Sequence, residues 1–265
     1  MMVSVVVKVR NEEHNIRDAL DSLVVQEGPL EIIIVDGSST DRTRDIVEEY
    51  RKRFGFIRLF KAGRNRAESL NYGLARAEGD IIALTDGDVI ANPYWLTEMR
   101  RSIMYEGHDY VAGRSITIGL RAWEDLARVE LYNQGFDCSW PGCNIAYRRE
   151  VYEKVGDVDP WFITAEDIDY NIRVTDAGYQ IHHNPDAIIY NRARNTVYGF
   201  INQAFWNGAG RKQLNMKYSG RLWHKYNPIN MLRDRKMTFW YMVRIFFAGM
   251  GYIGYKYSGR SKAIQ

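Results

Sequence analysis

Four apolar runs limit what this chain can become. They begin near residues 3, 32, 56 and 80, and a helical period fills the intervals between them. Val3 to Val9 is almost continuously apolar and β-branched, as in a strand buried on both faces. Asn11-Glu12-Glu13 then opens a helix with Ile16, Ala19, Leu20, Leu23 and Val24 on one face. Ile32 to Val35 is a second strand, followed by the turn Asp36-Gly37-Ser38-Ser39-Thr40-Asp41 and a helix carried by Ile46, Val47 and Tyr50. Phe56 to Phe60 is a third strand, Glu68 to Arg76 a helix, and Ile81 to Leu84 a fourth strand ending at Asp86. This repeated strand–helix–strand pattern predicts an α/β fold, a mainly parallel sheet with helices on both faces.

Past Asp88 the alternation loosens. The sequence predicts a helix from Pro93 to about Tyr105, short strands around Gly113 between Tyr110 and Ile118, and a helix from Leu120 to Phe136. A loop at Trp140-Pro141-Gly142-Cys143-Asn144 leads to a short strand, Ile145 to Tyr147. Thr164 is placed to cap a helix from Ala165 to Ala177, closed by Gly178. Tyr179 to His182 and Ala187 to Tyr190 read as strands. No Pro- or Ser-rich linker interrupts the chain before residue 192.

The chain has 265 residues and two cysteines, Cys138 and Cys143, which excludes a disulfide scaffold and a four-cysteine zinc site. The first ten residues show no charged leader before their apolar run, so no secretory signal is expected. A net charge of +3 conceals an asymmetry. From Arg192 onward, 14 Lys and Arg face one acid, Asp234, a net +13; the first 191 residues hold 22 Lys and Arg against 32 acids, a net −10. That basic tail also holds 15 of the 35 aromatic residues, which suggests an anionic partner surface.

Acidic residues gather at the predicted C-terminal ends of strands, where open α/β sheets bind ligands. They are Glu12 and Glu13, Asp36, Asp86 and Asp88, and Glu166 and Asp167. Taken singly, each is explained as a turn residue or as an acid in a helix's first turn. Taken together, they are harder to dismiss, because the predicted fold would place all four groups around one crevice. Two carboxylates flanking Gly87 suit a hard cation that also carries phosphate oxygens. No Gly-x-Gly-x-x-Gly follows the first strand and no Gly-x-x-x-x-Gly-Lys-Ser/Thr occurs, which argues against a dinucleotide dehydrogenase and a P-loop enzyme.

Five motifs, in order over residues 3–191, resemble family 2 glycosyltransferases. They are Val3 to Glu13, Ile34 to Asp41, Asp86-Gly87-Asp88, Gly142-Cys143-Asn144 with Tyr147-Arg148-Arg149, and Glu166-Asp167-Ile168-Asp169. The resemblance implies a GT-A fold and inverting, metal-dependent transfer from a nucleotide-diphosphate sugar, with UDP- or GDP-sugars expected. By position, Asp36 would bind the base, Asp86 the ribose, and Asp88 the Mn²⁺ or Mg²⁺ that bridges the diphosphate. Asp167 would be the general base. Val9, Arg10, Glu12, Arg64, Arg66 and Gly87 join the donor side; Trp140, Gly142, Cys143, Asn144 and Glu166 form the acceptor side.

The family commonly has Pro and Tyr where this chain has Lys8 and Arg10, so a guanidinium plane would replace a stacking ring. Asn191 stands near the family's usual His and is a further candidate metal ligand. Cys143 reads as a small buried residue rather than a nucleophile, and His182 and His183 as ordinary strand residues. The expected organisation is a catalytic domain over 1–191, donor-binding to about 92 and acceptor-side from 93, with a helical extension over 192–265.

Met237 to Tyr257 is just long enough to span a bilayer, but Arg244 interrupts it and five Tyr or Trp favour the interface. An in-plane helix on an anionic membrane, on the cytoplasmic side, is therefore expected ahead of a single span or a helix packed on the body. The acceptor could then be polyprenyl-phosphate-linked; nucleic acid is not an expected partner, since no recognised module accompanies the tail. Two other readings stand beside this one. A non-catalytic module could bind a nucleotide or an anionic surface on the same scaffold. A nucleotidyltransferase would share the strands and carboxylates, but needs a Gly-rich, basic signature that Lys8-Val9-Arg10-Asn11 lacks.

Overall fold

A computed structural model describes residues 1–119, 128–193, 196–218 and 239–255. The four apolar runs form β1 (Val3–Val9), β2 (Leu30–Asp36), β3 (Ile57–Lys61) and β4 (Ile81–Asp86), all parallel, with β1 between β2 and β4. The helices between them are α1 (Ile16–Val24), α2 (Thr43–Arg53) and α3 (Arg66–Leu74). Next come β5 (Val89–Ala91), α4 (Trp95–Met104), β6 (Tyr110–Ile118) and a hairpin of β7 (Tyr132–Asn133) and β8 (Phe136–Asp137). They are followed by β9 (Ile145–Arg148), α5 (Arg149–Val155), α6 (Glu166–Asp176), β10 (Ile181–Arg192), α7 (Val197–Lys217) and α8 (Phe239–Gly254). The main sheet has eight strands in the order β3-β2-β1-β4-β9-β6-β10-β5; β9 and β5 run antiparallel to their neighbours.

Period-2 alternation divides the core into two layers. Val5, Val7, Ile32 and Ile34 face α1, α2 and α4; Val6, Ile33 and Val35 face α3 and α6. Because both faces are covered, the strands had to be continuous apolar runs.

Three expectations change. The strands expected around Gly113 are one nine-residue strand, and those expected at 179–182 and 187–190 merge into β10, bulged between Asn184 and Ile188. Gly113 is required there, since a Cβ would collide with the Ala187 carbonyl. Of the helix expected from Leu120 to Phe136, residues 120–127 lie outside the described residues, 128–131 are irregular, and 132–136 belong to the β7–β8 hairpin. Gln134 (φ 52°) and Gly135 (φ 87°) make its turn, the positive-φ pair that matches strand twist. Asn133 fixes the hairpin by donating to Thr175 Oγ1 (2.8 Å) and Asp176 Oδ1 (2.9 Å). Finally, Thr164 does not cap α6; its hydroxyl donates to the Trp206 carbonyl, and Ala165 takes the N-cap position in the left-handed region (φ 67°).

α7 docks on this body through buried polar contacts. Gln213 accepts from the Ile163 amide (2.9 Å) and donates to the Trp161 carbonyl (2.7 Å). Asp169, fully buried on α6, accepts from Tyr218 (2.7 Å), Lys217 (2.7 Å) and Arg173 (3.1 Å). α8 crosses α7 at Gly208 and Gly251, where a Cβ on either would strike the partner helix's backbone at Ala248 or Phe205. Among the described residues, no helix is long and apolar enough to cross a membrane.

Removing the Asp169 carboxylate leaves Lys217 and Arg173 without their shared partner. Asp169→Ala should lower unfolding stability by about 3 kcal/mol in urea titration, the scale for breaking a buried ion pair. It should also expose the end of α7 to protease. An unchanged midpoint would mean that α7 is held by its other contacts alone.

Candidate active site

A cavity of about 980 Å³ opens where β1 and β4 end and α6 begins. Asp86, Asp88, Glu166 and Asp167 line it, together with Lys8 and Arg66. The β1–β4 register puts Lys8 directly beside Asp86, and their side chains form an ion pair. Burial is the largest influence on Lys8 and would lower its pKa, but the Asp86 charge and hydrogen bond together with the Glu166 charge outweigh it, and the value is raised. Arg66, the first residue of α3, is likewise raised against the effect of burial by Asp86, Glu166, Asp88 and Asp167. Glu166 is raised, first by burial and then by the Asp167 charge.

Asp167 is held on both carboxylate oxygens. The Gly142 amide donates to Oδ2 (3.0 Å) and the Ile168 amide to Oδ1 (2.8 Å). Gly142 can approach because it has no Cβ; one would sit 3.1 Å from the Asp167 Cβ. Gly87 is similarly constrained, since a Cβ there would lie 2.7 Å from Val9 Cγ1. Three non-glycine residues take positive φ where the chain turns toward this region: Asn11 (55°), Ser38 (69°) and Ala165 (67°). Such a conformation costs roughly 1–2 kcal/mol each and persists only where surrounding contacts impose it.

A smaller adjoining cavity of about 100 Å³ is lined by Val9, Arg10, Glu12, Gly37, Arg64, Arg66, Asp86, Gly87 and Asp88, among others. The residues expected on the donor side are thus gathered around one cavity. Asp36 does not line either cavity. It is fully buried, its carboxylate accepting from the Ser39 amide and hydroxyl, with Arg44 at 3.7 Å. On the acceptor side, Gly142, Cys143 and Glu166 line the large cavity, as does Asn191. Trp140 does not, because its ring is stacked against His183 (4.2 Å) and Arg128 (3.7 Å). Asn144 is also turned inward: it accepts from the Trp95 indole (2.8 Å) and donates to the Ala187 carbonyl (3.3 Å).

Sequence reasoning missed the far wall. There Arg128, Arg211 and Arg244 line the cavity alongside Gln203, Asn207 and Asn215. For Arg211 and Arg244 the signal was the excess basic charge after residue 192, which composition could not aim inward; Arg128, in the acidic part of the chain, carried none. A divalent cation fits the near wall. Magnesium-type ions take one or two carboxylates and complete their shell with phosphate and water. Asp88 presents a carboxylate to both cavities, and Asn191 an amide to the larger one.

A sequence model of glycosyl transferase family 2 matches residues 4–156, and one of glycosyl transferase family group 2 matches residues 94–257. The chain is 32% identical over 216 residues to a probable glycosyltransferase, YdaM, of Bacillus subtilis, covering 73% of this chain and 51% of that protein. It thus spans about half that relative's length. It is 25% identical over 246 residues to the dolichyl N-acetyl-alpha-D-glucosaminyl phosphate 3-beta-D-2,3-diacetamido-2,3-dideoxy-beta-D-glucuronosyltransferase of Methanococcus voltae, covering 83% of this chain and 76% of that protein. Among solved structures, the mannosyltransferase PcManGT of Pyrobaculum calidifontis, in complex with GDP-Man and Mn²⁺, superposes with a TM-score of 0.68 at 20% identity. That match covers 98% of this chain and 76% of PcManGT, and establishes a shared GT-A fold.

The cysteines give this geometry a direct check. Burial pushes the Cys143 thiol far above its ordinary range and Cys138 up to about 11. Both should remain thiols at pH 8. Native protein should resist iodoacetamide over a period that fully labels urea-unfolded protein, read by mass spectrometry. Rapid native labelling of Cys143 would show it open to solvent as thiolate.

Proposed function

The chain belongs to glycosyl transferase family 2, and on that footing we propose that it moves a sugar, with inversion, from a nucleotide-diphosphate donor to an acceptor hydroxyl or phosphate. The observation that carries this reading is the convergence of Asp86, Asp88 and Asp167 on one cavity. A nucleotide-binding module would account for the smaller cavity, but not for a carboxylate in the larger cavity fixed by two backbone amides.

In this reading the smaller cavity takes the nucleotide of a UDP- or GDP-sugar. Arg10 and Arg64 lie beside the base, and Asp86 meets the ribose. Asp36 supports the turn from behind rather than touching the base. Asp88, with Asn191 as a further ligand, would hold the Mn²⁺ or Mg²⁺ of the donor, and the bound ion would supply positive charge to offset that developing on the departing diphosphate. Lys8 and Arg66 add fixed positive charge at the same place. Asp167 takes the proton from the acceptor oxygen as that oxygen attacks the anomeric carbon opposite the diphosphate, and this single displacement inverts the centre.

The acceptor lies toward α7 and α8. Arg128, Arg211 and Arg244 on that wall suit an acceptor bearing phosphate, such as a polyprenyl-phosphate-linked one. α8 borders the cavity through Arg244, Ile245, Ala248 and Tyr252. It also exposes a stripe of Phe239, Met242, Phe246, Met250 and Ile253 at helical spacing. Laid on an anionic membrane on its cytoplasmic face, that stripe would bring a lipid-borne acceptor to the cavity.

Asp167→Asn keeps shape and loses basicity. It should bind donor within a few-fold of wild type and transfer at least about 10²-fold more slowly. Asp88→Ala should instead lose metal-dependent donor binding in calorimetry while keeping its fold. Normal turnover in the first, or normal donor affinity in the second, would remove that residue from its role.

Phe239 and Phe246 are 66% and 64% exposed, so F239D/F246D should fold. The double variant should lose salt-sensitive co-sedimentation with vesicles of anionic lipid. Equal sedimentation of variant and wild type would refute docking through this stripe.

A further inference from the structure

At the opposite end of the sheet, three side chains meet that the transfer reaction does not use. Glu106 and His108 sit in the turn between α4 and β6, and His182 is the second residue of β10. β6 and β10 are parallel neighbours with Tyr110 opposite Ile181, so the group lies at the N-terminal ends of both strands. Asn191, at the other end of β10, lines the active-site cavity. His182 pairs with Val111 and Asn191 with Thr117, so six steps along β6, roughly 20 Å at about 3.3 Å per residue, separate the two places.

The geometry is organised by its own contacts. Gly107 (φ 79°) lies between Glu106 and His108, a turn that residues with a Cβ rarely adopt. The turn is pinned by the Glu106 amide donating to Arg101 O (3.3 Å) and the His108 amide to Ser102 O (3.1 Å). Arg101 donates to Glu106 Oε1 (3.0 Å), which aims Oε2 at the imidazoles. His108 Nε2 lies 3.8 Å and His182 Nε2 4.0 Å from that Oε2, and all three ligand atoms fall within 4.8 Å of one another. Neither contact is a hydrogen bond at those lengths.

We propose that Glu106, His108 and His182 form a second metal site, selective for a borderline divalent ion such as Zn²⁺. Two imidazoles and one carboxylate match zinc, and suit Mg²⁺ or Mn²⁺ poorly. With zinc–ligand distances of about 2.1 Å, ligand atoms at the corners of a tetrahedron stand about 3.4 Å apart. Glu106 thus needs to close on each imidazole by about half an ångström, and the two imidazole nitrogens, within 4.8 Å of each other, on one another by at most about 1.4 Å. The imidazoles now stack face to face, with centroids 3.7 Å apart and planes 10° from parallel. Binding splays them about their terminal torsions, which are broad. The site is about one-third exposed, which leaves the fourth position to water. A bound ion ties the α4–β6 turn to β10 and is independent of the donor cation.

The test is calorimetry with zinc chloride on full-length protein free of any histidine tag, with visible absorption of Co²⁺ as a report of tetrahedral ligation. Wild type and Asp88→Asn should bind one Zn²⁺ here with matching affinity and give the Co²⁺ bands. His182→Gln and Glu106→Gln should bind at least tenfold more weakly and lose the bands, while their metal-free melting temperatures stay at the wild-type value. Mg²⁺ should not compete. Absence of Zn²⁺ binding, equal affinity in wild type and His182→Gln, or loss in Asp88→Asn would each overturn the proposal. The outcome is independent of whether the protein transfers sugar.

Discussion

The ion pair between Lys8 and Asp86 is the contact on which the site depends. Four carboxylates line one cavity, and unopposed they would repel each other or take up protons. Asp86 and Glu166 together hold the Lys8 ammonium charged against the effect of burial, and Arg66 is held charged by the same two acids with Asp88 and Asp167. Glu166 shows how near the balance is: burial and Asp167 push its pKa up while Lys8 and Arg66 pull it down. Once β1 has paired with β4, 78 residues apart in sequence, no further search is needed. Lys8 and Asp86 occupy the same register position on adjacent parallel strands, so pairing β1 with β4 brings the charges together.

Close approach does the rest. The Asp86-Gly87-Asp88 turn packs over Val9 at a separation a side chain would not permit, and Gly142 lies against Asp167 where a Cβ would force a small shift. The left-handed residues Asn11, Ser38 and Ala165 are local strain maintained by the packed sheet behind them. Ala165 replaces the ordinary cap that Thr164 could have supplied. With that conformation, α6 begins with Glu166 and Asp167 facing the cavity instead of with a closed first turn.

The strand–helix alternation of the first 92 residues was legible because strands covered on both faces must be apolar throughout. The acids at their ends were legible because carboxylates are rarely placed where apolar strands terminate without a partner. The second half was less so. Residues 128–136 carry a helix-compatible composition, yet Asn133 finds buried partners on α6 and the Gln134-Gly135 turn closes a hairpin. Trp140 and Asn144 stood in the right motif but found His183, Arg128 and Trp95 first. Which polar residue turns inward depends on what faces it across the fold, and one-dimensional periodicity does not carry that.

Arg244 shows the same limit from the other side. In the sequence it breaks an apolar run, at about 2.5–3.5 kcal/mol if placed at a bilayer centre. In the fold it faces the cavity, on the side of α8 that also presents Ile245, Ala248 and Tyr252. The large apolar residues Phe239, Met242, Phe246 and Met250 are exposed. The run is therefore a two-faced helix, neither a damaged span nor a plain core helix. Gly208 and Gly251 let it cross α7 in backbone contact, which fixes the direction of each face. The feature that made the segment a poor membrane crossing is what lets one helix border a polar cavity and display an apolar edge.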